Sequence, residues 1–112
     1  MDGKNDGYVC GIRYRIEEKA GLGLDGCFGL CDNNRETIHF EPSQDSHQLF
    51  RTLIHELFHA IIHQTSLELP NEELAVSQLT NGTYSILTDP RNEPLISQLA
   101  SLLDNHPDCK PD

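Results

Sequence analysis

The stretch His47-Gln48-Leu49-Phe50-Arg51-Thr52-Leu53-Ile54-His55-Glu56-Leu57-Phe58-His59-Ala60-Ile61-Ile62-His63 decides how the 112-residue chain is read, because it is the longest apolar-periodic segment in it. At 100° per residue, Leu49, Phe50, Leu53, Ile54, Leu57, Phe58, Ala60, Ile61 and Ile62 gather on one arc of about 220°. This predicts a helix buried on more than one side. The narrow remaining stripe holds Gln48, Thr52, His55, Glu56, His59 and His63. Within it His55-Glu56-Leu57-Phe58-His59 forms an H-E-x-x-H string. On a helix its two histidines lie one turn apart on one face, where both imidazoles can reach one metal ion and Glu56 stands beside it. The ordinary alternative is the solvated face of a core helix. The motif fills the stripe, which favours the chemical reading.

Upstream, Ser43 or Asp45 can cap this helix, and Asp45 stands three before Gln48 as in a capping box. Before that, Tyr8 to Ile16 alternates, with Tyr8, Cys10, Ile12, Tyr14 and Ile16 on one side and Val9 on the other. A glycine-rich turn follows, with Gly21, Gly23 and Gly26, in which Leu22 and Leu24 could begin the next strand. Cys27 to Cys31 alternates with Phe28 and Leu30 inward, Asp32 to Arg35 is a turn signal, and Thr37 to Glu41 is a third strand with Ile38 and Phe40 inward. The expectation is α+β: an antiparallel meander of about three strands packed on the His55–His59 helix, with two or three further helices.

Downstream, Asn71 can cap a short helix from Glu72 to Thr80, and Glu93-Pro94 opens a last helix with Leu95, Ile96, Leu99, Leu102 and Leu103 on its apolar face. Residues 1–7 are expected to be disordered or frayed, residues 8–104 to form a single domain, and residues 105–112 to be a tail.

Composition narrows the function classes. Eighteen Asp and Glu against eight scattered Lys and Arg give a formal net charge of −10. This argues against tracking a phosphate backbone, so no direct nucleic-acid binding is expected. The first residues have no apolar leader, and no run approaches the roughly 18 apolar residues of a bilayer span. No membrane association is expected, and the chain is read as cytoplasmic. Cys10, Cys27, Cys31 and Cys109 lack both a C-x-x-C pair and the spacing of a disulfide framework. They are read as reduced thiols, and a zinc site on Cys27 and Cys31 lacks a second pair.

A tetrahedral centre that leaves one position for water needs a third protein ligand. Glu68, Glu72, Glu73 and His63 are the candidates. Glu72 shares a face with Ala75, Val76 and Leu79, the side expected to pack on the first helix. Glu73 shares its face with Ser77 and Thr80, which reads as solvent-facing. The residues from Gln64 to Asn71 can extend over about 25 Å, enough to turn back. Glu72 is therefore preferred, with Glu73 its nearest rival. His63 lies a further turn of 5.4 Å along. For an oxyanion-stabilising group Tyr8, His39 and Tyr84 stay open.

With these residues in place a family resemblance emerges. The strands followed by the H-E-x-x-H helix resemble the zincin metallopeptidases, and Asn71-Glu72-Glu73-Leu74-Ala75 is similar to the glutamate-bearing second helix of their gluzincin branch. Glu72-x-x-Ala75 also resembles the ImmA/IrrE-type peptidases and small phage-encoded relatives. The metzincin extension is absent, with Ile62 where its glycine and Thr65 where its third histidine would stand. The resemblance implies Zn2+ held by His55, His59 and Glu72, Glu56 as catalytic base, and a protein or peptide as substrate. In such a site zinc acidifies water and polarises a carbonyl, while a carboxylate passes the proton to the leaving amine. The competing class is a catalytically weak or inactive zinc-binding protein that meets a partner through its acidic surface.

Overall fold

The computed structural model describes residues 4–104. The order of elements is β1 (Lys4–Val9), β2 (Ile12–Glu18), a 3-10 turn (Leu22–Asp25), β3 (Gly29–Asp32), β4 (Thr37–Phe40), α1 (Ser46–Thr65), α2 (Glu72–Thr88), a second 3-10 turn (Pro90–Asn92) and α3 (Glu93–Asp104). The α+β class is as expected from the sequence. The chain divides into two units, one running to Asn81 and one from Gly82, so that α2 begins in the first and ends in the second.

In the first unit the strands form one sheet in the order β1-β2-β4-β3. β1 and β2 pair antiparallel, as do β3 and β4, but β2 and β4 pair parallel, so the sheet is mixed and four-stranded rather than a three-stranded antiparallel meander. The difference begins at Cys10-Gly11. Both residues have positive φ, 51° and 81°, the geometry of a two-residue hairpin turn, and Val9 pairs directly with Ile12. A pattern that reads as one strand from Tyr8 to Ile16 is thus two, and Lys4 to Gly7 belong to a strand rather than a frayed start. Paired residues share a face, so the turn inverts the alternation. Val9 is buried and Tyr8 is 70 % exposed, the reverse of the sequence expectation.

The core lies between the sheet and α1. Val9, Tyr14, Ile16, Ile38, Phe40 and Ala60 are buried together, and Ile12, Cys31, Leu49, Leu53 and Leu57 pack against them. Ile38 and Phe40 point inward as expected. Phe28 and Leu30 do not, being half-exposed, because β3 turns Gly29 and Cys31 toward α1 instead. α1 begins where Asp45 accepts the Gln48 amide at 2.8 Å and ends on Ser66 in a left-handed conformation. Its buried residues are Thr52, Glu56, Ala60 and Ile62, while Phe50 and Ile61 remain partly exposed. The polar stripe, rather than opening to solvent, is thus partly covered.

Asn71 accepts the Leu74 amide at 3.1 Å and starts α2, which continues eight residues past the expected end at Thr80, through Gly82. An interior glycine weakens a helix by about 1 kcal/mol relative to alanine and does not by itself stop one. In the second unit Asp89 caps the 3-10 turn through the Arg91 amide, and Asn92 Nδ2 donates to the Ile86 carbonyl. α3 begins at Glu93-Pro94 as expected and has no buried residue. Among the described residues no helix is long and apolar enough to cross a membrane. The expected tail, residues 105–112, lies outside the described residues, as do residues 1–3.

Candidate metal centre and its pocket

Three elements of the first unit converge on an open pocket of about 760 Å³. β3 and the segment before it supply Cys27 to Cys31, α1 supplies Gln48, Arg51, Thr52, His55, Glu56 and His59, and α2 supplies Glu72, Glu73, Ser77, Thr80 and Asn81. β3 is an edge strand, so one row of its backbone groups has no strand partner.

The two histidines meet as their spacing requires, with ring centroids 5.0 Å apart. Glu73 spans them: Oε1 lies 2.7 Å from His55 Nε2 and Oε2 lies 2.9 Å from His59 Nε2. Glu72 instead lies at the opposite ring nitrogen, its Oε2 2.6 Å from His59 Nδ1. One donor atom each from His55, His59 and Glu73 falls within 4.8 Å of the others. Two imidazoles and a carboxylate suit zinc chemically; a tetrahedral centre with bonds of about 2.0–2.1 Å asks for donors about 3.3 Å apart, so the histidine–carboxylate pairs, at 2.7 and 2.9 Å, would part slightly around an ion. The open side of the pocket leaves room for a further ligand.

The cluster thus takes Glu73, the rival, from α2, while the preferred Glu72 meets His59 at its other ring nitrogen. Apolar neighbours on a wheel favoured Glu72. The supposed solvent face of α2, carrying Glu73, Ser77 and Thr80, is in fact the pocket wall, and Thr80 is only 4 % exposed. Glu72 occupies the place from which a carboxylate orients a ligating histidine and fixes its tautomer. Burial works to lower the His59 pKa, but the hydrogen bond its ring donates to Glu72 and the charges of Glu56, Glu73 and Glu72 outweigh it and raise the value.

Glu56 is buried against β3. Its pKa is raised by burial foremost, with the charge of Glu73 adding to the rise, while the charges of His55 and His59 and the Cys31 backbone amide oppose it. The approach depends on Gly29: a Cβ there would stand 2.6 Å from Thr52 Cγ2, 3.1 Å from Glu56 Cγ and 3.2 Å from Glu56 Oε2. A glycine within a strand pattern is a known sign of such close passage, and this was the available signal for it. A polar network fixes the same junction. Thr52 donates to Gln44 Oε1 at 2.8 Å, and Gln44 Nε2 donates to the Phe28 carbonyl at 3.1 Å and the Glu41 carbonyl at 2.8 Å.

Cys10, Cys27 and Cys31 are free thiols. Burial foremost, then the charges of Glu56, Asp32 and Glu72, push the Cys31 thiol up to about 12, so it stays protonated and unreactive at neutral pH. It donates to Asn33 Oδ1, which also accepts from the Tyr14 hydroxyl at 2.8 Å. Cys109 lies outside the described residues. Of the other candidates, His63 and Glu68 are exposed and take no part in the cluster. Tyr8 and His39 do not line the pocket, and Tyr84 belongs to the second unit. No family model, curated protein or solved structure matches the chain.

Proposed function

We propose that the chain is a zinc-dependent metallopeptidase of the zincin type that hydrolyses a peptide bond of a protein substrate, with His55, His59 and Glu73 as zinc ligands. The observation that carries the reading is the convergence of these three side chains beside a buried glutamate, in a pocket walled by a free strand edge. When bound there, zinc supplies Lewis acidity toward a carbonyl and a water that loses its proton near neutral pH. Glu72 holds His59 through Nδ1, leaving Nε2 directed at the centre. Glu56 takes the proton from the attacking water and delivers it to the leaving amine. Its raised pKa makes it a stronger base than an exposed glutamate and its conjugate acid a usable donor. The substrate adds as a strand along the outer edge of β3, which presents its carbonyl beside Glu56. With three free thiols and no disulfide among the described cysteines, we also place the chain in the cytoplasm.

Metal analysis of the purified protein together with a Glu56→Gln variant tests this. One zinc per chain is expected in both forms, with hydrolysis of a protein or peptide library in the wild type alone. Absence of zinc from the wild type ends the proposal. Zinc with equal partner binding and no hydrolysis in either form favours the non-catalytic zinc protein.

A further inference from the structure

Beyond the histidines, the polar wall of the pocket carries groups that zinc ligation and proton transfer leave unused. α1 and α2 meet across it at His59 and Glu73 and again at Arg51 and Asn81, eight residues earlier on one helix and eight later on the other, so they advance together in opposite directions. Thr80 therefore stands level with Thr52, three residues before His55 and about 4.5 Å along the axis. Both threonines are buried. A helical threonine commonly satisfies its hydroxyl on the carbonyl four residues back, as Thr65 does with Ile61 and Thr88 with Tyr84. Thr80 does not: its hydroxyl oxygen is buried and has no hydrogen-bond partner among the described residues. A buried hydroxyl in that condition is unfavourable until a partner arrives.

The hydrogen bonds around it fix which end of each neighbouring amide is spare. Gln44 Nε2 donates to the Phe28 and Glu41 carbonyls, so its oxygen faces Thr52 and takes the single Thr52 hydroxyl proton. Thr52 can then only accept, which turns Gln48 Nε2 toward it at 3.4 Å and leaves Gln48 Oε1 as an acceptor on the α1 wall. On the α2 wall an arginine donor at Asn81 Oδ1 orients that amide in the same way and leaves Asn81 Nδ2 to donate. Ser77, on the same face of α2 and also lining the pocket, adds a hydroxyl.

We propose that Gln48, Ser77, Thr80 and Asn81 form a carboxamide-binding subsite that selects substrates with a Gln or Asn side chain close to the scissile bond. A primary carboxamide accepts through its oxygen and donates through its nitrogen. Its oxygen meets the donors of α2, Thr80 and Asn81, and its NH2 group meets Gln48 Oε1 on α1, with the Ser77 hydroxyl able to serve either end. All four side chains are neutral. A carboxylate brings no donor for Gln48 Oε1 and is repelled by Glu56, Glu72 and Glu73, which line the same pocket. An apolar side chain of similar size leaves the Thr80 hydroxyl unpaired, and sites built to hydrogen-bond a group reject analogues that lack it. An extended peptide rises about 3.3 Å per residue, so the offset between the Thr80 and His55 levels places the carboxamide within about two residues of the carbonyl at the metal centre. The identification of the ligand as a peptide rests on the metallopeptidase proposal; the carboxamide subsite is read from its own residues.

The subsite is tested by binding, independently of hydrolysis. Zinc-supplemented, isotopically labelled Glu56→Gln protein is titrated with three peptides of the form acetyl-Ala-Ala-X-Ala-N-methylamide, in which X is Gln, Met or Glu and neither end carries a primary carboxamide. Shifts of the Asn81 Nδ2–H2 and Thr80 methyl resonances report occupancy. The Gln peptide is expected to bind at least about tenfold tighter than the Met peptide, whose side chain is of similar length and leaves the buried hydroxyl unpaired. It is also expected to bind tighter than the Glu peptide. Thr80→Val keeps the shape and removes the hydroxyl, and it abolishes the preference for Gln over Met. Gln48→Met removes the acceptor on the other wall, abolishes the preference too and covers the case in which the Val variant does not fold. Equal binding of all three peptides, as a main-chain amide filling the subsite would give, overturns the proposal. So does tighter binding of the Glu peptide, or a preference for Gln that survives both variants. Because the wild-type hydrolysis assay is separate, selective binding without hydrolysis removes the peptidase proposal alone, and hydrolysis without selectivity removes the subsite alone.

Discussion

Two glutamates of the first unit are buried to nearly the same degree, Glu41 at 7 % and Glu56 at 8 % exposure, and their surroundings drive them in opposite directions. Glu41 follows β4 and is clasped by backbone amides: Gly21 and Gly23 each donate to Oε1 at 3.0 Å, and Ser43 donates to Oε2 at 3.3 Å. Those donors, Gly23 foremost, hold its pKa below the ordinary value despite burial. Glu56 has the Cys31 amide and two histidines to oppose its desolvation, and its pKa rises. Enough amide donors make a buried carboxylate a stable anion that ties loops together, whereas too few leave it poised to accept a proton. The difference suits one to a structural clasp and the other to the role of base proposed for it.

The largest effects that test this contrast lie at the centre. Glu56→Gln is expected to lower hydrolysis by about 10²–10⁴-fold, the usual contribution of a general base. It should leave the thermal midpoint unchanged or raised, because it removes a charge that the folded state disfavours. A lowered midpoint together with lost activity would make Glu56 a clasp like Glu41. Next in size come the paired acids of α2. Glu72→Gln should weaken zinc binding by about 10–100-fold, the usual effect of losing a group that orients a ligand, and Glu73→Gln should weaken it further. A chelator titration ranks them, and the reverse order would restore Glu72 as the ligand.

Those two adjacent acids also show where the sequence was legible. Helix α1, its cap at Asp45, the meeting of His55 with His59, and the inward side of β4 follow from local rules: periodicity, a cap three residues before a glutamine, and i,i+4 geometry. What was misread depends on chain reversal or on the partner element. Cys10 tolerates positive φ without announcing it, so a two-residue turn hid inside a period-two pattern and the parallel β2–β4 junction went with it. Choosing between Glu72 and Glu73 on a wheel assumed that apolar neighbours face the partner helix. The partner here offers a polar stripe, and α2 answers with its own polar side.

Of intermediate size is the close passage at Gly29. Gly29→Ala puts a methyl 2.6 Å from Thr52 Cγ2, and overpacking of this kind costs about 1–3 kcal/mol. Thr52→Ser removes that methyl while keeping the hydroxyl bonded to Gln44, so the double variant should regain part of the loss in urea unfolding. Since the same Cβ also crowds Glu56, Gly29→Ala should depress hydrolysis more than its stability cost alone explains. Additive costs in the double variant would place the crowding elsewhere.

The smallest effect concerns the clasp. The Glu41 pKa is lowered on folding, so below the ordinary glutamate value of about 4.3 the native state binds fewer protons than the unfolded chain. The stabilisation is therefore complete above that value and is lost as pH falls through the lower, folded one. Glu41→Gln keeps one oxygen to accept an amide but cannot hold the charge, so it should reduce stability near pH 7 and converge on the wild type as pH falls through the lowered, folded value. Urea midpoints across that range read the convergence directly, and a difference that stays constant with pH would show that the charge is not its source. The clasp also bears on the pocket, because the Glu41 amide donates to the Phe28 carbonyl at 2.9 Å immediately before β3 passes the base. If loosening Glu41 lowers stability and leaves hydrolysis intact, holding the fold and poising the base are separable. If hydrolysis falls in step, the clasp is what keeps β3 close enough to desolvate Glu56, and the two carboxylates form one device.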